Sequence, residues 1–169
     1  MSSSNVSYSV WGIFENKKKI SIEKIKNKIN QNLNGPKFPI HITISSHFEG
    51  DKIEIINKLR IVSKKIKKFQ IETKGYSYSK NFFQSIYLRV LLSKDLKLKK
   101  KILDNFLKPK KKIYKPHISL FYGHLSVKEK KLIISKFKKF NEKIIIKQLC
   151  LAENFENILK WKIIKKFNI

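Results

Sequence analysis

The sequence contains a single cysteine, Cys150, so no intramolecular disulfide can form. This scarcity is consistent with a reducing compartment such as the cytoplasm. The sequence also lacks any apolar run of the roughly 18–20 residues that a membrane-spanning helix needs. Its first residues, MSSSNVSYSV, have neither the basic nor the apolar segment of a signal peptide. We therefore expect a cytoplasmic protein that is not bound to a membrane.

Acidic residues and arginine are scarce too. Only 12 Asp and Glu residues oppose 39 basic ones, for a formal net charge of +27, and Arg60 and Arg89 are the only arginines. Lysine, isoleucine, asparagine and phenylalanine all have A/T-rich codons, so a low-GC genome accounts for this bias without selection for binding. The runs Lys17–Lys19, Lys99–Lys101 and Lys110–Lys112 are therefore interpreted as solvated faces and loops. Their field would still attract an anionic partner, including nucleic acid bound non-specifically.

What the sequence does contain is a regular alternation of strand and helix patterns. Its 169 residues, 41% of them apolar, predict one domain over residues 1–169. Hydrophobic periodicity predicts the order β-α-β-α-β-β-α-β-α-β-β, which favours an α+β fold with a largely antiparallel sheet. Segments 19–92 and 95–169 share one order of elements, so two similar lobes are predicted. The predicted elements include a helix over 51–69 and strands over 38–48, 82–92 and 158–169.

Two predicted strands carry the same short motif. Residues 40–44 read I-H-I-T-I and residues 116–120 read P-H-I-S-L. Side chains at positions i and i+2 of a strand project from one face, about 6–7 Å apart. His41 should therefore lie beside Thr43, and His117 beside Ser119, while the intervening apolar residues face a core. If the two lobes pack with pseudo-two-fold symmetry, both polar faces line one cleft.

Two imidazoles and two hydroxyls in one cleft suit a phosphodiester substrate. One neutral histidine can take a proton from water while a protonated one gives a proton to the departing oxygen. The hydroxyls can donate hydrogen bonds to the phosphate oxygens. The other histidines, His47 and His124, have no acidic residue at a suitable spacing, so we predict no metal site. Cys150 has no base near it in the sequence, so we do not expect it to be a nucleophile.

With these motifs the sequence resembles the two-histidine (2H) phosphoesterases, whose tandem H-x-T/S-hydrophobic motif matches H-I-T-I and H-I-S-L. The segments Y-S-V-W, F-F-Q-S-I-Y-L and P-H-I-S-L-F-Y-G are most similar to the plant and yeast cyclic phosphodiesterases. The resemblance implies two pseudo-symmetric antiparallel-sheet lobes with helices outside and a central cleft. It also implies hydrolysis of a 2′,3′-cyclic nucleotide or ADP-ribose 1″,2″-cyclic phosphate to a monoester, without metal or cofactor.

Carried over position by position, the resemblance makes His41 and His117 the general acid/base pair, and Thr43 and Ser119 the phosphate ligands. It does not decide which histidine is the acid. It further implies substrate contacts from three aromatic residues, which are Trp11, Phe83 and Tyr122. By spacing alone, Trp11 and Phe83 are equally consistent with a core position. Tyr122 would face away from the site unless the chain bends near Gly123.

Two other functions fit the same sequence. One is a 2′–5′ RNA ligase or an RNA or cyclic-oligonucleotide phosphodiesterase, since the motif also resembles the 2′-5′ RNA ligase-like branch of the superfamily. The other is a non-catalytic basic module that binds RNA through lysines and aromatic residues. For the enzyme we expect a monomer that acts on a small phosphodiester or an RNA end.

Overall fold

The structure, a computed structural model, describes residues 6–169. Within that range the elements follow the predicted order. The strands are β1 (Ser7–Phe14), β2 (Ile42–Phe48), β3 (Phe69–Tyr78), β4 (Ile86–Val90), β5 (His117–Phe121), β6 (Lys143–Asn154) and β7 (Lys162–Asn168). The helices are α1 (Asn16–Asn30), α2 (Lys52–Ser63), α3 (Lys94–Leu107) and α4 (Val127–Ser135), with single 3₁₀ turns at Phe82–Gln84 and Ile158–Lys160. Residues 1–5, part of the segment predicted not to be a signal peptide, lie outside the described residues.

Three of these helices begin at a side chain that caps them. Asp51 caps α2 and Ser93 caps α3, each by accepting a hydrogen bond from a backbone N–H of the first turn. Ser126 and Glu129 form the capping box predicted for α4. Such bonds satisfy N–H groups that have no partner within the helix. Local sequence therefore sets where these helices start.

The strands form a sheet in the order β2-β1-β6-β3-β4-β5, with β7 paired to β6, and all these pairs are antiparallel. The long strand β6 pairs with β3 near its start and with β7 over its second half. Strand β3 also forms the predicted hairpin with β4. The predicted α+β class and antiparallel sheet are confirmed, with β3 joining the halves β2-β1-β6-β7 and β3-β4-β5.

The helices cover the sheet and connect its halves. Helix α1 packs against β1 and also against β5, while α3 packs against β2, β3 and α2. Each half of the sheet therefore has a helix that packs against a strand of the other half. The core between these layers is rich in fully buried aliphatic side chains, each of which contributes about 1.5–3 kcal/mol to folding. None of the helices within residues 6–169 is both long and apolar enough to cross a bilayer.

All four segments whose predicted bounds are given above differ from the observed elements, and the strand predicted over 38–48 begins only at Ile42. Helix α2 ends at Ser63 rather than near residue 69, and Ile66 is buried in the loop that follows. Ile66 lies at helical spacing from the apolar residues of α2 because it is buried in the core, and not because the helix extends to it. The predicted strand over 82–92 begins with a 3₁₀ turn, capped by the Asn81 side chain. A second 3₁₀ turn likewise occupies the start of the predicted strand over 158–169.

Candidate active site

The seven residues proposed from the sequence for the site all line one cleft of about 1210 Å³. They come from several elements: β1, β2, the turn at 82–84, β5 and the residues flanking these strands. The residues are Trp11, His41, Thr43, Phe83, His117, Ser119 and Tyr122. The structure therefore brings the predicted set together, and their roles in a reaction remain predictions.

The sheet brings the two histidine motifs to this cleft. Strands β2 and β5 stand at opposite ends of the strand order, yet they lie next to each other in space. The apolar residues between the polar ones face the core as predicted, and all of them are fully buried: Ile42, Ile44, Ile118 and Leu120. Each motif thus divides its side chains between the core and the cleft.

His41 lies at the buried end of the site, one residue before β2. Its Nδ1 lies 2.7 Å from the carbonyl oxygen of Pro39. A carbonyl can only accept, so Nδ1 carries the proton and Nε2 is the free nitrogen of the neutral ring. The ring stacks on Trp11, with centroids 3.8 Å apart. Burial, and then the nearby charges of His117 and Lys26, lower the pKa of His41 to about 4.

His117 makes the corresponding backbone contact in β5. Its Nδ1 lies 2.9 Å from the carbonyl oxygen of Lys115, again two residues earlier in the chain. The amide nitrogen of Gln84 lies 2.7 Å from Nδ1 and 3.2 Å from Nε2. Tyr87 meets the ring edge-on at 5.5 Å. Burial lowers the pKa of His117 too, so both histidines favour the neutral form in the free protein at pH 7.

The two hydroxyls of the motifs have different hydrogen bonds. Ser119 donates to the carbonyl oxygen of Phe83 at 2.9 Å and is buried. Thr43 is half-buried, and among the hydrogen bonds of residues 6–169 none involves its hydroxyl. Its own carbonyl oxygen accepts a bond from the hydroxyl of Tyr114 at 3.0 Å. Of the two, only the Thr43 hydroxyl is therefore free to donate to a ligand without breaking another bond.

Tyr122 lies in the cleft wall because the chain leaves β5 there. The strand ends at Phe121, and Gly123 has φ +149. A Cβ atom at Gly123 would lie 2.6 Å from the ring of Phe121, so a glycine fits this bend. Tyr122 is buried, stacks on Phe38 with centroids 3.7 Å apart, and burial raises the pKa of its hydroxyl. The bend near Gly123 that this position of Tyr122 requires is present in the structure.

Aromatic rings form a cluster on one wall of the cleft. Phe83 stacks nearly parallel on Trp161, with centroids 5.4 Å apart, and meets Tyr122 edge-on at 5.6 Å. Trp161 also lies 6.4 Å from Trp11 and donates its indole N–H to the carbonyl oxygen of Phe155. Sequence reasoning missed Trp161, because it placed this residue inside the strand predicted over 158–169, whereas Trp161 follows a 3₁₀ turn. Trp11 is almost fully buried, whereas Phe83 is 41% exposed.

Lysines line another part of the cleft. The run Lys110–Lys112, interpreted as a solvated loop, is exposed and also lines the cleft, together with Lys108 and Lys115. These lysines follow α3 and lead into β5. The expectation of exposure is confirmed, and the position beside the histidines was missed, since the sequence does not reveal the path of a loop.

The remaining candidates have simple environments. His47 lines the cleft, and His124 packs against Phe82 with ring centroids 5.3 Å apart. Within residues 6–169 no three His, Cys, Asp or Glu side chains group so as to hold a metal ion. Cys150 is buried, and burial raises the pKa of its thiol to about 11, so it is protonated at neutral pH.

A curved antiparallel sheet whose end strands bring two His-x-Thr/Ser motifs to one cleft defines the two-histidine phosphoesterases. Residues 11–169 match the family model described as "Cyclic phosphodiesterase-like protein". The chain belongs to this family, within the two-histidine superfamily, and has phosphodiesterase-type chemistry. No curated protein matches the sequence.

Solved structures share the fold at low sequence identity. Escherichia coli LigT, solved in complex with 3′-AMP, has TM-score 0.65 and 11% identity, over 96% of this chain and 97% of that one. The Thermus thermophilus protein TT0787 has TM-score 0.61 and 12% identity, over 96% and 97%. Usb1 of Kluyveromyces marxianus has TM-score 0.52 and 13% identity, over 99% of each chain.

Proposed function

We propose that this protein hydrolyses a 2′,3′-cyclic nucleotide, or ADP-ribose 1″,2″-cyclic phosphate, to a phosphomonoester, with His41 and His117 as its acid/base pair. One observation carries the proposal. Both imidazoles bond through Nδ1 to the carbonyl two residues earlier and line the same cleft. In His41 Nε2 is therefore free for proton transfer, and in His117 Nε2, which lies 3.2 Å from the amide nitrogen of Gln84, becomes available once the substrate displaces that contact.

The surroundings of the histidines favour different roles in this reaction. His41 is the more buried, and its pKa of about 4 keeps it neutral at pH 7, as a general base requires. A bound phosphate anion near His117 would favour its protonated form. We assign His41 as the base that takes a proton from the attacking water, whose oxygen forms the new bond to phosphorus. His117 then gives its proton to the ester oxygen whose bond to phosphorus breaks.

The hydroxyls hold the phosphate in this scheme. Thr43 can donate directly to a non-bridging oxygen, because its hydroxyl has no other acceptor among the described residues. Ser119 can do so only by releasing the carbonyl oxygen of Phe83. Donors aimed at the phosphate stabilise charge that builds up in the transition state. Tyr122 adjoins Ser119, and burial keeps its hydroxyl in the neutral, donating form.

The aromatic wall offers a surface for the base of a nucleotide. Phe83 and Trp161 stack on each other and line the cleft, and Phe83 is partly exposed. Stacking on an aromatic ring is sequence-tolerant and contributes about 1–3 kcal/mol per base. Trp11, in contrast, supports the ring of His41 rather than offering a free face. We propose that Phe83 and Trp161 contact the base and that Trp11 positions His41.

Hydrolysis of 2′,3′-cyclic AMP in the presence of EDTA tests the proposal. His41→Ala and His117→Ala should each lower kcat by about 10²–10⁴-fold, because each removes one proton-transfer group. A product assay that separates 2′- from 3′-monophosphate would identify the ester bond that breaks. His124→Ala is the matched control and should retain activity, since His124 does not line the cleft.

Full activity in both histidine variants would contradict the assignment. Tight, salt-dependent RNA binding by a protein without hydrolytic activity would instead favour the non-catalytic RNA-binding module. Hydrolysis that stops on addition of EDTA would contradict the metal-independent scheme.

A further inference from the structure

Each histidine motif is preceded by an aromatic residue at the same distance. Phe38 lies three residues before His41, and Tyr114 lies three residues before His117. Tyr114 belongs to the lysine loop, residues 108–115, which reads K-P-K-K-K-I-Y-K and joins α3 to the segment that enters β5. Both aromatic residues occupy segments without helix or strand, so no ladder of backbone hydrogen bonds fixes them. Their positions must therefore come from side-chain contacts.

Each of these two side chains contacts the motif on the opposite strand. The ring of Phe38 stacks on Tyr122, which follows β5, with ring centroids 3.7 Å apart. Tyr122 adjoins Ser119, which carries the hydroxyl of the second motif. The hydroxyl of Tyr114 donates to the carbonyl oxygen of Thr43 in β2 at 3.0 Å. The two contacts therefore cross between the halves of the sheet.

A lysine from the preceding helix lies over each of these rings. The ammonium group of Lys26 in α1 is 4.0 Å from the ring centroid of Phe38, and it also donates to the carbonyl oxygen of that residue. The ammonium group of Lys100 in α3 is 4.9 Å from the ring centroid of Tyr114. A cation over the face of an aromatic ring is attracted by the electrons of the ring. Each aromatic side chain therefore has one contact within its own half of the sheet and another with the opposite half.

A polar side chain in each of these helices also bonds to the opposite half. Asn30 of α1 donates to the carbonyl oxygen of Leu120 in β5 at 2.9 Å. Asp104 of α3 accepts from the hydroxyl of Ser45 in β2 at 2.8 Å. Each of these residues follows the lysine of its helix by four positions, which is about one helical turn. The arrangement around one aromatic residue is thus repeated around the other.

The sheet itself does not fix the relative position of the two motifs. Strands β2 and β5 stand at opposite ends of the strand order, and within residues 6–169 they share no ladder of hydrogen bonds. In the proposed reaction His41 and His117 act on one phosphorus atom, and a displacement of about 1 Å can lower the rate by about 10²-fold. Contacts that cross directly between the motifs can preserve this geometry.

We propose that Phe38 and Tyr114 are positioning residues, each of which holds the motif of the opposite strand in place for catalysis. Phe38 acts through Tyr122 on the second motif, and Tyr114 acts through the carbonyl group of Thr43 on the first. Neither residue is catalytic, since each acts through another residue. The inference rests on the proposed function and adds two residues to its site.

Two conservative substitutions test the inference. Tyr114→Phe removes only a hydroxyl, and Phe38→Leu replaces the stacked ring by a smaller apolar side chain. The substrate is 2′,3′-cyclic AMP or ADP-ribose 1″,2″-cyclic phosphate, whichever the wild-type protein hydrolyses faster. Each variant should lower kcat by about tenfold and change KM by less than about twofold, since a misplaced group slows the reaction more than it weakens binding.

The matched controls make the same changes in rings whose contacts lie elsewhere. Tyr76→Phe alters a ring that meets Phe137, and Phe106→Leu alters a ring that lies under Lys65 at 5.3 Å. Neither of the two substituted residues lines the cleft. Both control variants should retain the wild-type kcat.

Double-mutant cycles identify the motif through which each residue acts. In the crossed pairs, each variant is combined with loss of the hydroxyl of the opposite motif: Tyr114→Phe with Thr43→Val, and Phe38→Leu with Ser119→Ala. These pairs should be coupled by at least about threefold in kcat/KM, because both changes disturb one motif. In the same-strand pairs the two hydroxyl variants are exchanged, and the losses should multiply within about twofold. A role in general packing alone would not produce this pattern.

Thermal unfolding shows whether each variant is folded. If Phe38→Leu does not fold, Lys26→Met takes its place, because it removes the cation and the bond to the Phe38 carbonyl but keeps the ring. Lys26→Met should then lower kcat and couple to Ser119→Ala. Its control, Lys24→Met, makes the same change in charge at an exposed lysine of α1 and should do neither.

The outcomes separate this inference from the function on which it rests. Wild-type kcat in either positioning variant, equal losses in the controls, or coupling that is absent from the crossed pairs would overturn the inference and leave the phosphodiesterase intact. Failure of the folded wild-type protein to hydrolyse either substrate would overturn the proposed function, and the inference with it.

Discussion

His41 is enclosed by aromatic and apolar groups, whereas His117 lies beside an amide. The first ring stacks on Trp11 and is only 6% exposed. The second contacts Gln84 and meets the edge of Tyr87. Both rings bond through Nδ1 to a backbone carbonyl, so their orientations are set in the same way. Equal geometry with unequal solvation is a means of separating the proton affinities of two like groups.

The hydroxyls of the two motifs show the opposite asymmetry. Thr43, beside the buried His41, has a hydroxyl without a partner among the described residues. Ser119, beside the more open His117, donates to Phe83 and adjoins Tyr122. The half of the site around β2 thus holds a neutral imidazole, His41, that can accept a proton, and a hydroxyl, Thr43, that is free to donate a hydrogen bond. The other half forms a network that a ligand must rearrange.

Removing the aromatic partner of each histidine should have the largest effect on this comparison. Trp11→Ala should lower the free energy of unfolding by about 3–5 kcal/mol, because a large, almost fully buried ring is lost. Tyr87→Ala should cost only about 1 kcal/mol, since Tyr87 is half-buried. Urea denaturation at pH 7 measures both values. Similar losses in the two variants would show that the halves of the site are equally packed.

Stability against pH should distinguish the histidines next. The pKa of His41 is about 4 in the folded protein, chiefly through burial, against 6.5 for an unperturbed histidine. As pH falls below 6.5, the unfolded chain takes up a proton that the folded chain does not. The contribution of His41 to the free energy of unfolding is therefore complete above pH 6.5 and is lost on acidification. The loss attributable to His41 should reach about 2 kcal/mol at pH 5.

A substitution isolates this contribution. His41→Gln should flatten the dependence of the free energy of unfolding on pH between about 6.5 and 5, where the carboxylates with lowered pKa values remain ionised. His117→Gln is the comparison variant and should flatten it less. A curve for His41→Gln that parallels the wild type would contradict the burial assigned to His41.

The hydroxyls provide the smallest and most specific contrast. Thr43→Val should lower kcat/KM by about 10²-fold, as loss of one donor to the transition state does, and should leave stability within about 0.5 kcal/mol. Ser119→Ala should lower activity and also reduce stability by about 1–3 kcal/mol, because the carbonyl of Phe83 loses its buried donor. Steady-state kinetics and urea denaturation together measure the contrast. A destabilised Thr43→Val would indicate a structural role for that hydroxyl.

Much of the site could be predicted because its chemistry follows a strand period. In each motif the histidine and hydroxyl alternate with buried aliphatic residues, and that alternation alone assigns a face. The prediction that the two motifs share one cleft depended instead on the assumption that the two lobes are alike. The curled sheet, with β2 next to β5, accounts for that approach.

The rest of the site lies in segments whose paths are set by distant contacts. Trp161 reaches the cleft after an irregular turn and is held by a bond to the carbonyl of Phe155. The lysine loop follows β2 because Tyr114 bonds to Thr43, 71 positions away in the sequence. Ile66 had helical spacing but lies in a loop, since burial alone can produce an apolar position. No local pattern reports such long-range contacts.

The exchange of helices between the halves of the sheet also limits how the molecule can move. Helix α1 of the first half packs on β5, and α3 of the second packs on β2. Opening the cleft as a hinge would pull each helix from its partner strand and expose core on both sides. Substrate exchange should therefore depend on the surface segments at its rim, namely the loop over 108–115, the turn at 82–84 and residues 154–156. The floor of the cleft would stay rigid while its border moves.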